Sequence, residues 1–152
     1  MVIYPLSHRL LYILMISSLL SNCGCNSWKL PNDYVDKSLK EKIVIYKEAC
    51  RNNKLRRYGN TLSSGIRIHG LDALDKMIEI IYAQYDCFPK NEAATIIGLI
   101  LIEDKTADKI YFLKSLKCLY WLRDKGEYPY ERNAASMVIR WLEDEVKKRG
   151  FD

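Results

Sequence analysis

The sequence predicts an all-α fold. Its 152 residues include only 7 glycines and 4 prolines. The apolar runs are long and helix-like rather than short and strictly alternating, as they would be in half-buried strands. Apolar residues make up 49% of the chain and charged residues 28%, which is ordinary for a globular domain and argues against a disordered or polytopic membrane protein. We therefore expect one helical domain.

The segment 1–22 has the order of a secretory signal peptide. Positions 1–9 carry one arginine and no acid, positions 10–20 carry no charge, and small polar residues follow. An apolar run of this length is too short to span a bilayer comfortably, because a spanning helix needs about 20 residues. A buried N-terminal helix is the alternative.

Residues 20–23, Leu-Ser-Asn-Cys, resemble the lipobox of bacterial lipoproteins. In that family a diacylglycerol is transferred to the cysteine thiol and the chain is cleaved before it. The resemblance implies a signal peptide over 1–22, a lipidated Cys23, a tether over 23–32 and a location in the cell envelope facing the periplasm. The acyl chains would hold the protein to the membrane, since each buried methylene contributes about 0.8 kcal/mol.

Two cysteines compete for the lipid. Asn22 precedes Cys23 where the family usually has Gly or Ala, whereas Gly24 precedes the alternative, Cys25. Lipidation at Cys23 leaves four cysteines, and both disulfides and buried free thiols stay open for them. The later cysteines, which lie far apart in sequence, are Cys50, Cys87 and Cys118. With His69 as the one downstream histidine, they do not have metal-ligand spacing.

The helical domain is predicted to run from 33 to 150, and its first helix from 33 to 51. Asn32 and Asp33 are the expected cap. The apolar stripe of that helix recurs at spacings of four, four, three and four and consists of Val35, Leu39, Ile43, Tyr46 and Cys50. The next segment, 55–68, contains Gly59 and Gly65, which indicates a helix with weakened ends or a close packing face.

Four further helices are predicted. An apolar stripe indicates a helix from Gly70 to about Asp86, ended by Pro89 because proline disfavours helix at the preceding residue. A shorter apolar helix begins at Asn91 and ends near 103–105. Thr106 is the expected cap of a fifth helix that continues through Leu122, and Gly126 and Pro129 separate it from a last helix over 131–149.

The second half of the domain contains a repeat. The segment 93–97, which begins with Ala-Ala, matches 134–138, and a Leu-rich helical stripe recurs at nearly the same offset. This offset is about 40 residues, which is typical of the helix pairs of an α-solenoid. Residues 132–135, Arg-Asn-Ala-Ala, resemble the start of the second helix of a HEAT repeat. The resemblance implies stacked antiparallel helix pairs over 70–149, with an irregular helical bundle as the alternative.

The sequence has no motif that predicts catalysis. A Gly-rich phosphate loop, a nucleophile elbow, an H-E-x-x-H helix and a C-x-x-C pair are all missing from it. His69 is expected to be a capping or surface residue rather than a general base. The carboxylate groups lie among Lys and Arg, which favours solvated charge. We therefore predict no catalytic residue, no metal site and no cofactor.

Charge and aromatic content indicate a protein partner. The net charge is +5, or +4 once a leader containing Arg9 is removed, which is too mild to imply nucleic acid. Tyr128 and Tyr130 flank a proline in a predicted exposed loop, and with Trp121 and Trp141 they are the candidate partner-binding residues. The expected function is a membrane-anchored protein-binding module without catalysis. A periplasmic immunity protein that neutralises a secreted toxin and a cell-envelope hydrolase are the alternatives.

Overall fold

A computed structural model describes residues 28–83 and 88–151 of the chain. Outside these residues lie the predicted signal peptide over 1–22 and the two candidate lipidation sites, Cys23 and Cys25. Cys87 also lies outside them. The described part contains six α-helices and no strand, which confirms the all-α prediction. The helices are α1 (Leu39–Arg51), α2 (Leu55–Arg67), α3 (Leu71–Tyr82), α4 (Lys90–Glu103), α5 (Lys109–Lys125) and α6 (Pro129–Arg149).

The predicted start of the first helix at 33 is wrong. A 3-10 helix, Tyr34–Asp36, comes first, and Lys37 is extended with a ψ of 147°. Ser38 then caps α1: its Oγ accepts from the N–H of Glu41, and its own N–H donates to the Glu41 carboxylate. This reciprocal capping box satisfies a free N–H of the first helical turn and fixes the helix start. Val35 consequently leaves the apolar stripe and is 70% exposed.

Later boundaries also differ from prediction. The helix predicted to reach about Asp86 ends at Tyr82, because Ala83 is already extended with a ψ of 133°. The cap of α5 is Asp108, whose carboxylate accepts from the N–H groups of Ile110 and Tyr111, whereas the hydroxyl of Thr106 donates to Asp104. The helix α6 begins at Pro129 rather than at 131. Proline suits the first helical position because its missing N–H has no partner there anyway.

The helices pack as three stacked pairs. Within each pair α1 contacts α2, α3 contacts α4, and α5 contacts α6. Between pairs, α2 packs on α4, α4 on α6, and α3 on α5. The helices α3 and α5 therefore adjoin in one layer, and the other contains α2, α4 and α6. The central helix of the second layer, α4, is apolar nearly all round, as expected for a helix enclosed by its neighbours.

Small residues permit the closest approaches between these helices. A Cβ added to Gly98 of α4 would lie 2.6 Å from a methyl of Val138 on α6. Ala93 and Ala94 of α4 are fully buried, as is Ala135 of α6. The repeated Ala-rich segments therefore contribute small, buried residues to the faces of α4 and α6.

An arginine at the end of α6 joins the last pair to the end of α4. The Arg149 guanidinium donates to the backbone carbonyls of Leu101, Asp104 and Ala107 at 2.9 to 3.2 Å. Its Nε donates to Glu145 at 2.9 Å. Three carbonyls at and just beyond the C-terminal end of α4 thus gain a charged donor, which stabilises a helix end that would otherwise lack partners.

Candidate interaction surface

The stacked side chains of Tyr128 and Tyr130 lie at the start of α6. Tyr128 is the residue that precedes the helix and Tyr130 is in its first turn, rather than in the loop predicted from sequence. Their ring centroids are 5.3 Å apart and the rings are nearly parallel, with an angle of 4°. The side chains remain 46% and 55% exposed. The N–H of Tyr128 donates to the Glu131 carboxylate, and the guanidinium of Arg132 donates to the carbonyl of Gly126. These bonds fix the backbone that presents the two rings.

The two predicted tryptophans lie elsewhere. Trp121 on α5 packs at a tilt against Tyr82 of α3, with centroids 5.1 Å apart, and the Lys90 ammonium is 5.8 Å from its ring. Trp141 on α6 lies beside Gly98 of α4. The four candidate residues therefore belong to separate contacts, and the tyrosines form the paired feature.

A groove between α1 and α3 is a feature that sequence reasoning missed. Its larger cavity has a volume of about 710 Å³ and is lined by Ser38, Leu39, Lys40, Ile43, Val44, Lys47 and Lys76. A neighbouring cavity of about 290 Å³ shares Ile43, Lys47 and Lys76 and adds Glu79, Ile80 and Ala83. The two hollows share a floor and a rim, so they form one continuous groove, which we call the α1–α3 groove.

The helices lining this groove have other principal neighbours. The helix α1 packs on α2, while α3 packs on α4 and α5. Lys47 of α1 and Lys76 of α3 both line the shared part of the groove, where Lys76 pairs with Glu79 at 2.8 Å. Val44, on the floor, is 48% exposed.

The sequence contained one signal of this groove. Val44 is apolar but lies off the apolar stripe of α1, next to Ile43. Lys40, Val44 and Lys47 are spaced by four and three residues and therefore share one helix face. An apolar residue between two lysines on a single face indicates an exposed amphipathic strip.

His69 contacts a buried lysine. Lys42 is only 1% exposed; its Nζ donates to the carbonyl of Val35 at 2.9 Å and lies 3.2 Å from Nε2 of His69. An ammonium has only donors, so Nε2 must be the acceptor and the imidazole is neutral. Burial, followed by the nearby Lys42 charge, lowers the pKa of His69 below its ordinary value of 6.5. His69 therefore holds the buried ammonium in place.

Cys118 is fully buried in α5, in agreement with the buried-thiol alternative. Burial raises the pKa of its thiol to about 12. A thiol with so high a pKa is almost entirely protonated at neutral pH and is a poor nucleophile.

Within 28–83 and 88–151, no group of three or more His, Cys, Asp or Glu side chains is placed to hold a metal ion. In the same part of the chain no helix is both long and apolar enough to cross a membrane. Comparison with protein-family models, curated proteins and solved structures gave no match.

Proposed function

We propose that the chain is an exported, lipid-anchored protein-binding module with no catalytic role. The exposed Tyr128–Tyr130 stack carries the protein-binding part of the proposal. Two large rings already held together by the start of α6 lose little side-chain freedom on association. Each ring also combines apolar area with a hydroxyl that can bond to a partner.

We also propose that the helical domain is a short HEAT-like array, and two observations of different kinds support this. The second half of the sequence repeats at about 40 residues, which is the period of a helix-pair array. Helices of successive pairs also pack on each other in the order expected of a stacked array. Such arrays expose continuous surfaces between and along their helices, which suits them to binding other proteins.

Site-specific photo-crosslinking tests the binding role. A benzophenone amino acid replaces Tyr130 in the full chain, and Arg140, exposed on the same helix, provides the matched control position. We expect one stoichiometric protein adduct at Tyr130 and little at Arg140. The double variant Tyr128→Ala/Tyr130→Ala should weaken the affinity for that partner about tenfold or more. The proposal is wrong if Tyr130 gives no protein adduct above the control.

The identity of the captured protein separates the narrower functions. A secreted toxin would identify the chain as an immunity protein, and an envelope-assembly factor would identify it as a scaffold.

Mass spectrometry of the mature N-terminus tests export and anchoring. We expect cleavage before a diacylated cysteine. The variants Cys23→Ser and Cys25→Ser distinguish the two sites, because only one of them should abolish the lipid. A chain that retains Met1 without modification would contradict both export and lipidation.

A further inference from the structure

We infer that the corner between α1 and α2 contacts the anionic phospholipid headgroups of the membrane to which the chain is anchored. Three basic residues, Lys54, Arg56 and Arg57, define this basic corner. The inference rests on the proposed lipid anchor. It adds a second, electrostatic contact with the membrane, at a surface separate from the tyrosine pair.

The fold does not neutralise the charge of the basic corner. Arg56 and Arg57 are exposed, and Lys54 is half-buried. In the part of the chain that the structure describes, none of the three side chains forms a salt bridge. Three positive charges therefore face the surroundings of the protein at one corner.

The sequence around the corner supplies no negative charge either. It contains no Asp or Glu over 49–71, which covers the corner and the rest of α2. It also contains none over 1–32, the segment that leads from the predicted anchor to the fold. The nearest preceding acid, Glu48, lines a hollow on α1 together with two other lysines. An anion for the corner must therefore come from outside the neighbouring chain.

The corner lies beside the point at which the chain enters the fold. Trp28 is the first residue that the structure describes, and its ring packs against Tyr58 with centroids 5.5 Å apart. The Arg57 guanidinium lies over the same Tyr58 ring, 5.2 Å from its centroid. The proposed lipidation sites, Cys23 and Cys25, precede Trp28 by five and three residues. An extended chain spans at most about 3.5 Å per residue, so a lipid on either cysteine holds Trp28 within about 18 Å of it.

The side chains at this corner suit the headgroup layer of a membrane. Arginine binds phosphate oxygens in bidentate geometry, and a guanidinium stacked over a ring keeps its N–H donors for that contact. Tryptophan and tyrosine rings are favoured at the membrane–water interface, and Trp28 and Tyr58 are both half-buried. The N–H groups of Arg57 and Tyr58 donate to the carbonyl of Lys54 at 3.0 Å. This first helical turn presents the basic and aromatic side chains together.

The contact would orient the domain as well as strengthen its attachment. A lipid alone holds the chain at one point and leaves the domain free to turn about it. Each Lys or Arg close to an anionic leaflet strengthens binding about fivefold, so the three residues together should contribute about a hundredfold. The lipid also keeps the corner at a high local concentration of headgroups, which makes this second contact effectively intramolecular.

Vesicle co-sedimentation tests the corner separately from the lipid. The mature chain with C23S/C25S carries no lipid and retains every residue that the structure describes. We expect it to bind phosphatidylglycerol-containing vesicles about tenfold or more tightly than pure phosphatidylcholine vesicles. Binding should weaken as the salt concentration rises from about 0.1 M to about 1 M, because the Debye length falls from about 10 Å to about 3 Å.

Two matched triple variants locate the contact. K54Q/R56Q/R57Q removes three charges from the corner, whereas K109Q/K117Q/K125Q removes three charges from exposed positions on α5. The corner variant should weaken binding to phosphatidylglycerol vesicles about tenfold or more, and the α5 variant by less than about threefold. Circular dichroism checks that both are folded. If the corner variant is not folded, R56Q alone decides, with about a fivefold loss expected.

Three results overturn the inference. The first is equal binding to the two kinds of vesicle or equal behaviour of the two triple variants. The second is loss of corner-dependent binding in millimolar inorganic phosphate, because the corner then takes a free anion. The third is a corner variant that loses the Tyr130 protein adduct and keeps its vesicle binding, because the corner then serves the protein partner.

Mass spectrometry of the native N-terminus separates failure of this inference from failure of the proposed anchor. A lipidated native chain whose corner does not bind vesicles leaves the anchor intact and rejects the corner. Corner-dependent vesicle binding, together with a native N-terminus that carries no lipid, rejects the anchor and leaves the corner as the membrane contact.

Discussion

Two glycines of the same helix should respond in opposite ways to alanine. Alanine is more favourable than glycine inside a helix by about 1 kcal/mol. A Cβ at Gly59 of α2 would meet no atom within 4 Å, so Gly59→Ala should stabilise the protein by about 0.5 to 1 kcal/mol. A Cβ at Gly65 would lie 2.7 Å from Oη and 2.8 Å from Cζ of Tyr34, which is closer than the atoms can approach.

The cost of Gly65→Ala follows from how firmly Tyr34 is held. The ring is buried, and its hydroxyl donates to the carbonyl of Leu62 at 2.7 Å. Overpacking of this kind costs about 1 to 3 kcal/mol, and displacing the hydroxyl sacrifices a further 0.5 to 1.5 kcal/mol, roughly. After the gain in helix propensity is subtracted, we expect a net loss of about 1 to 3 kcal/mol.

Urea unfolding followed by far-UV circular dichroism measures both variants. Repeating Gly65→Ala in a Tyr34→Ala background tests the cause, because removing the ring should make the alanine neutral or stabilising. The reasoning is refuted if Gly65→Ala is as stable as Gly59→Ala, or if its loss is unchanged without the Tyr34 ring.

Three further predictions concern the other contacts that hold the fold. Arg149→Ala should lower the free energy of unfolding in urea by about 3 kcal/mol, because the charged donor to several carbonyls is lost. The control Lys148→Ala, at the exposed neighbouring position, should change it by less than about 0.5 kcal/mol. Equal effects of the two variants would contradict the role of the guanidinium. The pKa of His69 is lowered in the folded state, so the unfolded state binds more protons below pH 6.5. The free energy of unfolding should therefore fall as the pH drops from 6.5 through the folded pKa. His69→Gln should flatten that part of the pH profile measured by urea unfolding. Asp108→Ala should cost about 1 kcal/mol as a lost helix cap, whereas Thr106→Ala should cost less than about 0.5 kcal/mol; the reverse order would restore the cap predicted from sequence.

Local sequence patterns predicted the helices better than their ends. All six helices were predicted, and the clearest of them, α1 and α3, followed from apolar spacing, which reports on one face of a 3.6-residue period. The starts at Ser38 and Asp108 were missed because more than one polar residue near each boundary could serve as a cap. Ser38 and Glu41 have the spacing of a capping box, so that signal was present in the sequence and was outweighed by Asn32 and Asp33.

The two candidate surfaces also differ in how far the sequence predicts them. Tyr128 and Tyr130 are two residues apart, and their exposure could be expected from the proline and charged residues around them, although their stacking could not. The α1–α3 groove requires residues of two separate helices to line one hollow, which no short-range pattern specifies.

The sequence by itself determined the fold class, the helix positions and the aromatic residues available for binding, because these depend on spacing along one chain segment. The burial of Lys42 was decided only by the tertiary structure. A lysine within α1 would ordinarily face water, but the 3-10 helix brings the Val35 carbonyl to its ammonium and the turn before α3 brings His69. The groove was decided in the same way, since the spacing of α1 and α3 depends on how whole helix pairs stack.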